Sequence, residues 1–215
     1  MDEHATEEST HSEVQDADER LREFVAKNTM EEKPDRSGAQ RVIEWLITIA
    51  AAVALALFIR AFVGEAYVVP TGSMLDTIQL DDRVWGDKLA LKFRQPEQGE
   101  IVMFNSPTGD GYTLIKRVIA TGGQTIDLVD GHVVVDGVTL DEPYTQGKES
   151  LPLPEQMPSI GGIEYPYTVP EGHVWLMGDN RTNSKDSRYF GAVPVSEVTA
   201  KAVLTFWPPA DFGPL

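Results

Sequence analysis

The sequence contains no cysteine, and this absence removes several kinds of chemistry at once. Without thiols the chain can form no disulfide, no thiolate nucleophile and no cysteine-ligated metal site. The zinc-peptidase motif His-Glu-x-x-His is also missing, so metal-dependent hydrolysis is unsupported. We therefore expect neither a metal nor a cofactor.

Basic residues are few: 18 Lys and Arg stand against 34 Asp and Glu, for a net charge of −16. Nucleic-acid binding needs a basic face, so we expect no nucleic-acid partner. The acidic charge is concentrated at the N-terminus, where residues 1–19 hold eight Asp or Glu and no Lys or Arg. Residues 1–40 are predicted to be a disordered acidic tail, with one short helix around Ala17–Asn28.

Only one long hydrophobic run is present. Trp45–Ile59 is apolar apart from Thr48, and residues 42–63 extend the run to 22 positions. As a helix these residues would measure about 33 Å, enough for a hydrocarbon core of about 30 Å. We predict a single transmembrane helix at residues 41–64, embedded in the lipid bilayer. A buried helix of a soluble protein is the alternative, and a forty-residue acidic leader does not resemble a signal peptide.

The basic residues near the run predict its orientation. Four precede it closely, namely Lys27, Lys33, Arg36 and Arg41, and two lie at or after its exit, namely Arg60 and Arg83. Lys and Arg favour the cytoplasmic side of a membrane helix. We therefore expect a single-pass protein of the plasma membrane with a cytoplasmic N-terminus and with residues 65–215 outside the cell.

After residue 65 the pattern becomes typical of β-structure. Short β-prone segments recur, namely Arg83–Trp85, Ile101–Phe104, Thr113–Thr121, Val174–Met177 and Ala202–Phe206. Asp-Gly pairs at 130–131 and 136–137 flank four strand residues and predict consecutive tight hairpins. Residues 151–170 are rich in Pro and Gly and predict a long loop with one extra strand. We predict a mostly antiparallel β-domain over residues 65–215.

The segment Pro70-Thr71-Gly72-Ser73-Met74 follows the apolar run, and we interpret Ser73 as a nucleophile. A serine hydroxyl needs a base to take its proton. His4 and His11 lie in the acidic tail, and His132 and His173 have the context of turns that lead into strands. Neither Gly-x-Ser-x-Gly nor Ser-x-x-Lys occurs at Ser73. Lysine is the remaining kind of base.

Lys116 has a suitable context for this role, because Thr113–Ile119 alternates like a half-buried strand. An exposed lysine is neutral in fewer than about one molecule in a thousand at pH 7, whereas burial lowers its pKa and favours the neutral base. If Leu114 and Lys116 face inward, Arg117 faces the other way. Periodicity alone leaves open whether Lys116 faces the core or the solvent.

Four segments resemble, in the same order, the motifs of bacterial type I signal peptidases. They are residues 70–74, Gly99–Phe104, Lys116–Ile119 and Gly178–Arg188. The eleven-residue match at Gly178–Arg188 is the most specific of them. The resemblance implies one N-terminal transmembrane helix followed by an antiparallel, barrel-like β-sheet catalytic domain. It also implies a membrane-anchored serine endopeptidase that cleaves signal peptides from secretory preproteins after small residues, as in Ala-x-Ala.

The resemblance further assigns roles to individual residues. It implies Ser73 as nucleophile, Lys116 as general base, and an oxyanion hole made by the Ser73 N–H and the Thr71 hydroxyl. Ser184 would hydrogen-bond and orient the lysine. Supporting roles in the same motif fall to Asp179, Arg181, Asp186 and Arg188. The sequence departs from the family pattern at Asp76, Ile78, Glu100 and residues 121–124, which bears on loop detail and substrate fit.

Substrate pockets are expected beside the predicted catalytic pair. Their walls would come from Val69, Pro70, Met74, Leu114 and Ile115, although the same side chains are also compatible with an ordinary core. Two other functions are the alternatives. A self-cleaving Ser–Lys repressor needs a DNA-binding domain and a soluble linker, and this sequence has neither. A non-enzymatic, membrane-anchored β-module that binds partners would not depend on Ser73 or Lys116.

Overall fold

The computed structural model describes residues 18–25 and 38–215. The chain divides into two compact units, Met1–Ala51 and Ala52–Leu215. Residues 18–25 form helix α1, within the predicted helix Ala17–Asn28. The rest of the predicted acidic tail before Gly38 lies outside the described residues.

Helix α2, Gly38–Phe58, continues into a π-helical turn, Ile59–Val63. Together they give 26 residues, whose most apolar 18-residue window has a mean hydropathy of 2.5 and no buried residue. By length and composition this helix can cross a membrane. The chain leaves the helix at Gly64, whose backbone is extended. Apolar side chains exposed all along a helix suit a lipid environment.

Twelve strands and two single-turn helices follow, most of them short. In chain order the strands are β1 Gly64–Val68, β2 Arg83–Asp87, β3 Ile101–Asn105, β4 Thr113–Thr121, β5 Thr125–Val129, β6 His132–Val135, β7 Val138–Thr139, β8 Tyr167–Thr168, β9 His173–Met177, β10 Val193–Pro194, β11 Val198–Trp207 and β12 Gly213–Pro214. The short helices are α3 Ala90–Phe93 and α4 Ser187–Phe190.

The larger sheet has the order β1-β2-β11-β3-β4-β9-β10, with β12 paired to β11. Each pairing in it is antiparallel. The order has two ends, so the sheet is an open half-barrel rather than a closed barrel. The predicted mostly antiparallel β-fold is confirmed. Strand β4, which carries Lys116, is central, between β3 and β9.

The smaller sheet has the order β7-β6-β5-β8. Its two hairpins turn at the predicted Asp-Gly pairs. Asp130 and Gly131 have φ values of 49° and 80°, and Asp136 and Gly137 have 50° and 79°. Two successive residues with positive φ make the hairpin turn that matches strand twist, and Asp-Gly tolerates it best. Strand β8 is the extra strand predicted within residues 151–170.

One of three apolar clusters lies beneath the serine segment. It contains Val69, Met74, Ile78, Val84, Ile101, Met103, Ile115, Ala200 and Ala202. Met74 and Ile78 are both fully buried, and burial of each side chain stabilises the fold by about 1.5–3 kcal/mol. The segment that carries Ser73 is therefore fixed on the sheet by its apolar neighbours in sequence.

Candidate active site

Ser73 lies in a 3-10 turn, Gly72–Met74, on the segment that follows strand β1. Its carbonyl accepts a hydrogen bond from the Asn180 N–H at 3.1 Å. The Asn180 side chain donates to the Gly72 carbonyl at 2.8 Å. Two hydrogen bonds from the motif Gly178–Arg188 therefore hold the backbone of the serine turn.

Lys116 faces the interior, which answers the question that periodicity left open. The residue is 3 % exposed. Its Nζ donates to the Ser73 Oγ at 2.7 Å and to the Ile115 carbonyl at 2.8 Å. The structure thus brings the two predicted catalytic side chains into direct hydrogen-bond contact. A nucleophile and a base within about 2.6–3.2 Å satisfy the geometric requirement for proton transfer.

Burial lowers the pKa of Lys116 to about 8, against the opposing influence of Asp186 and Asp179. Both carboxylates are completely buried, but each has an arginine partner. Arg188 contacts Asp186 through Nε at 2.9 Å and Nη2 at 2.9 Å. Arg117 contacts Asp179 through Nε at 2.8 Å and Nη2 at 2.6 Å. These bidentate pairs limit the negative charge that would otherwise hold the lysine as ammonium.

Asp186 also organises the backbone of the motif. One carboxylate oxygen accepts the Arg188 N–H at 3.2 Å and so begins helix α4, and the other accepts the Gly178 N–H at 3.0 Å. The Arg188 guanidinium donates to the Arg181 carbonyl at 2.8 Å. Asp186 and Arg188, predicted as a supporting pair, thus tie both ends of the motif together.

Asp179 and Arg181 have different partners from each other. Asp179 binds Arg117, as described, and accepts the Thr77 hydroxyl at 2.6 Å. The Arg181 guanidinium binds the Glu142 carboxylate at 2.9 and 2.5 Å and also contacts the Ser150 hydroxyl. Each residue therefore links the motif to a distant part of the chain.

The predicted hydrogen bond from Ser184 to Lys116 is not formed in this structure. Ser184 is buried, and its Oγ has no hydrogen-bond partner within the described residues. The lysine amine is directed instead at Ser73 and the Ile115 carbonyl. A Cβ at Gly178 would collide with the Ser184 side chain and the Ser73 carbonyl. Glycine at this position therefore lets Ser184 pack close to the serine turn.

A cleft of about 290 Å³ opens beside the pair. Its lining consists of Tyr67, Val68, Val69, Pro70, Thr71, Met103, Tyr112, Thr113, Leu114, Ile115 and Lys116. Thr71, the predicted oxyanion donor, is exposed and extended at φ −128° and ψ 148°. Four of the five predicted pocket residues line this cleft. Met74 is the exception, because its side chain points into the core cluster and is fully buried.

Several contacts at the site are not indicated by the sequence. Arg117 lies in the Lys116–Ile119 motif, but only the structure shows that it is half-buried against Asp179. Glu142 and Tyr144 belong to no motif that was singled out. Asn180 lies inside the recognised motif, but only the structure reveals its contact with the serine turn.

A serine hydroxyl in contact with a buried lysine amine, beside an apolar cleft on an antiparallel sheet, is the arrangement of a serine hydrolase. Comparison with known proteins narrows this class. The family described as signal peptidase, peptidase S26, matches residues 42–207.

Individual relatives agree with the family match. The chain is 33% identical over 235 residues to a signal peptidase I of Mycobacterium tuberculosis, covering 87% of this chain and 79% of that protein. It is 38% identical over 175 residues to a probable signal peptidase I-2 of Synechocystis sp., covering 77% and 73%. A solved signal peptidase I from Enterococcus faecalis aligns with a TM-score of 0.39 and 28% identity, over 50% of this chain and 96% of that chain.

The chain therefore belongs to the signal peptidase family, peptidase S26. The family match covers most of its length, and the relatives exceed 30% identity over most of both chains. It is a serine peptidase and hence a hydrolase.

Proposed function

We propose that the protein is a membrane-anchored signal peptidase that cleaves N-terminal signal peptides from exported preproteins after small residues, as in Ala-x-Ala, with Ser73 as nucleophile and Lys116 as general base. The observation that carries the proposal is the 2.7 Å contact between the Lys116 amine and the Ser73 hydroxyl. The names of the relatives supply the substrate class.

The proposed reaction follows from the positions of these two side chains. Lys116 takes the hydroxyl proton as the Ser73 oxygen attacks the scissile carbonyl, and it then gives that proton to the leaving amine. The acyl-enzyme that remains is hydrolysed by water, with Lys116 again as base. The Ser73 N–H and the Thr71 hydroxyl would stabilise the negative oxygen of each tetrahedral intermediate.

The supporting residues keep the lysine neutral and in place. Burial without a carboxylate partner favours the amine over the ammonium. Asp186 and Asp179 are each paired with an arginine, so neither forms an ion pair with Lys116. Ser184 is close to the serine turn, and we keep it as a proposed partner of the lysine once a bound substrate occupies the site.

Small-residue specificity is supported by the size and lining of the cleft. Its walls near Lys116 include Val69, Pro70, Leu114 and Ile115, which are apolar. A volume of about 290 Å³ lies just below the usual range of ligand pockets, about 300–1,000 Å³. A cleft of this size suits an extended peptide with small side chains.

The anchor would serve the reaction by confining enzyme and substrate to one plane. Helix α2 and its π-helical extension have the length and hydropathy for one span. A shared membrane raises the effective concentration of a lipid-embedded signal peptide at the site. Basic residues before the span favour a cytoplasmic N-terminus and a catalytic domain, residues 65–215, outside the plasma membrane.

The experiment is cleavage of a preprotein by the detergent-solubilised full-length chain, with sequencing of the new N-terminus. We expect a cut after Ala-x-Ala. Ser73→Ala and Lys116→Ala should each lose nearly all turnover while their thermal unfolding stays cooperative. Lys201→Ala is the control, since Lys201 lies on β11 and binds Glu100 at 2.7 Å. Turnover retained by either dyad variant would refute the assignment.

A further inference from the structure

One segment outside the recognised motifs contacts three parts of the site. This segment, Glu142–Lys148, follows strand β7 and is called here the brace segment. It begins with a 3-10 turn, Pro143–Thr145. It reaches Arg117 beside the lysine, Arg181 in the motif Gly178–Arg188, and Asp76 after the serine turn.

Tyr144 makes the first of these contacts. The guanidinium carbon of Arg117 lies 4.0 Å from the centroid of the Tyr144 ring. The same guanidinium binds both oxygens of Asp179 at 2.8 and 2.6 Å. Arg117 is therefore held between an aromatic ring and a buried carboxylate. A cation over a ring face is attracted by the quadrupole of the ring, most strongly where water is excluded.

Glu142 makes the second contact. Its carboxylate binds the Arg181 guanidinium at 2.9 and 2.5 Å. It also accepts the Tyr144 hydroxyl at 2.8 Å. Burial raises the pKa of the Tyr144 phenol, so the hydroxyl remains a donor. Arg181 in turn donates to the Gly178 carbonyl at 3.0 Å, at the start of the motif.

The third contact is weaker. Lys148 lies 3.4 Å from Asp76, and both side chains are partly exposed. An ion pair of this kind contributes about 0–1 kcal/mol. Tyr144 and Glu142 therefore account for most of the interaction between the brace segment and the site.

We propose that Tyr144, supported by Glu142, is a positioning residue for the peptidase reaction, because its ring holds Arg117 against Asp179 while Glu142 holds Arg181 against Gly178. The proposal rests on Lys116 being the general base, as in the proposed function. Tyr144 acts through Arg117 and need not touch the substrate.

The position of Arg117 affects the pKa of Lys116 through the charge of Asp179. Two carboxylates raise the pKa of Lys116, namely Asp186 and Asp179. Arg188 neutralises the first, and its side chain is almost fully buried. Arg117 neutralises the second through the edge of its guanidinium, and the Tyr144 ring covers one face of that group. If Arg117 moves away, the charge of Asp179 favours the ammonium form of Lys116 and the base is lost at neutral pH.

The experiment measures kcat/KM against pH for the full-length protein in detergent, from about pH 6 to 10.5. Tyr144→Leu removes the ring, Tyr144→Phe keeps the ring, and Tyr144→Met keeps apolar volume in case the leucine variant does not fold. Tyr167→Leu is the matched control. Tyr167 is also half-buried, but its ring packs on Trp175 at 4.9 Å, in the cluster beneath the smaller sheet.

The acid limb is the part of the profile in which kcat/KM falls as the pH is lowered. In Tyr144→Leu and Tyr144→Met we expect this limb to move to higher pH by about half a unit. At pH 7 that shift lowers kcat/KM about threefold, and the difference from wild type disappears above about pH 9.5. Tyr144→Phe should keep the wild-type limb. Tyr167→Leu should lower the melting temperature without moving the limb.

Two results would overturn the inference. One is an acid limb that stays at the wild-type pH in both Tyr144→Leu and Tyr144→Met. The other is a kcat/KM that is lowered by the same factor at every pH. The failure of the proposed function looks different, because the wild-type protein itself would then show no acid limb near pH 8. The wild-type profile thus separates the two.

Discussion

Two lysines of the larger sheet contrast in how they are held. Lys116 is buried on β4 and contacts a hydroxyl and a carbonyl. Lys201 on β11 is partly exposed, and its amine binds the Glu100 carboxylate at 2.7 Å. Burial without a carboxylate partner lowers the pKa of Lys116 to about 8, whereas an ion pair preserves the charge of a lysine.

The carboxylates near the two lysines differ in the same way. Glu100 binds Lys201 and Arg94 directly, and Arg94 approaches it at 2.6 Å. Burial opposes the ionisation of Glu100, but these two hydrogen bonds outweigh it and lower its pKa to about 2. Near Lys116, Asp186 and Asp179 bind arginines and make no ion pair with the lysine. The difference is therefore whether the lysine itself has a carboxylate partner.

Replacing each lysine with methionine should have opposite consequences for activity. Lys116→Met should lower turnover by about a thousandfold or more, because no other base contacts Ser73 within the described residues. Lys201→Met should keep turnover close to the wild-type value. Both are measured as kcat on the same preprotein.

Lys116→Met should lose turnover without losing stability. In the folded state the pKa of Lys116 is lowered from 10.5 to about 8. The fold thus binds its proton less well than the unfolded chain does, which costs up to about 3 kcal/mol at pH 7. The penalty grows as pH falls from 10.5 to 8 and is constant below. Lys116→Met should therefore melt at or above the wild-type temperature at pH 7. A clear drop would contradict the buried, unpaired amine.

The next prediction concerns the pH dependence of the wild-type protein. With a pKa of about 8, Lys116 is neutral in about one molecule in ten at pH 7 and in about half at pH 8. We expect kcat/KM to rise about tenfold from pH 7 to a plateau above pH 9. Initial rates at low substrate across this range measure the limb. A flat profile from pH 6 to 9 would exclude a lysine base with this pKa.

The motifs indicate which segments lie together, since residues 70–74 contact both Lys116 and the motif Gly178–Arg188 in the structure. Ser73 and Lys116 were paired through a family resemblance, and the Asp-Gly hairpins followed from turn chemistry. The inward direction of Lys116 could not be derived from periodicity. The structure shows the reason, since β4 is covered on both faces: Ile115, Lys116, Val118, Ile119 and Ala120 are all buried. Alternation is informative only in a strand with one solvated face.

The brace segment was not predictable for a different reason. Glu142 and Arg181 are separated by 39 positions in the chain, and neither the spacing nor the composition around Glu142 indicates a partner. The absence of the predicted hydrogen bond between Ser184 and Lys116 could not be derived from the sequence either. A motif gives the residues that come together, but the direction of each hydroxyl depends on packing around it, here on the close approach at Gly178.

The smallest expected effect concerns Glu100, the carboxylate that binds Lys201. Its pKa is lowered from 4.5 to about 2, so ionised Glu100 stabilises the fold above pH 4.5, and this stability is lost as pH falls from 4.5 towards 2. Solvent reaches Arg94 and Lys201, whose side chains are 35% and 27% exposed. We therefore expect Glu100→Gln to cost only about 1 kcal/mol at pH 7. Thermal unfolding at pH 7, 4.5 and 3 should show a difference in melting temperature from wild type that narrows as the pH falls.

Glu97→Gln is the control, because Glu97 is 70% exposed and 3.6 Å from Arg94. This substitution should change the melting temperature little at any pH. Because Lys116 is not part of this ion cluster, the acid limb of kcat/KM should be unchanged in both variants. If the acid limb moved in Glu100→Gln, Glu100 and Lys116 would be electrostatically coupled.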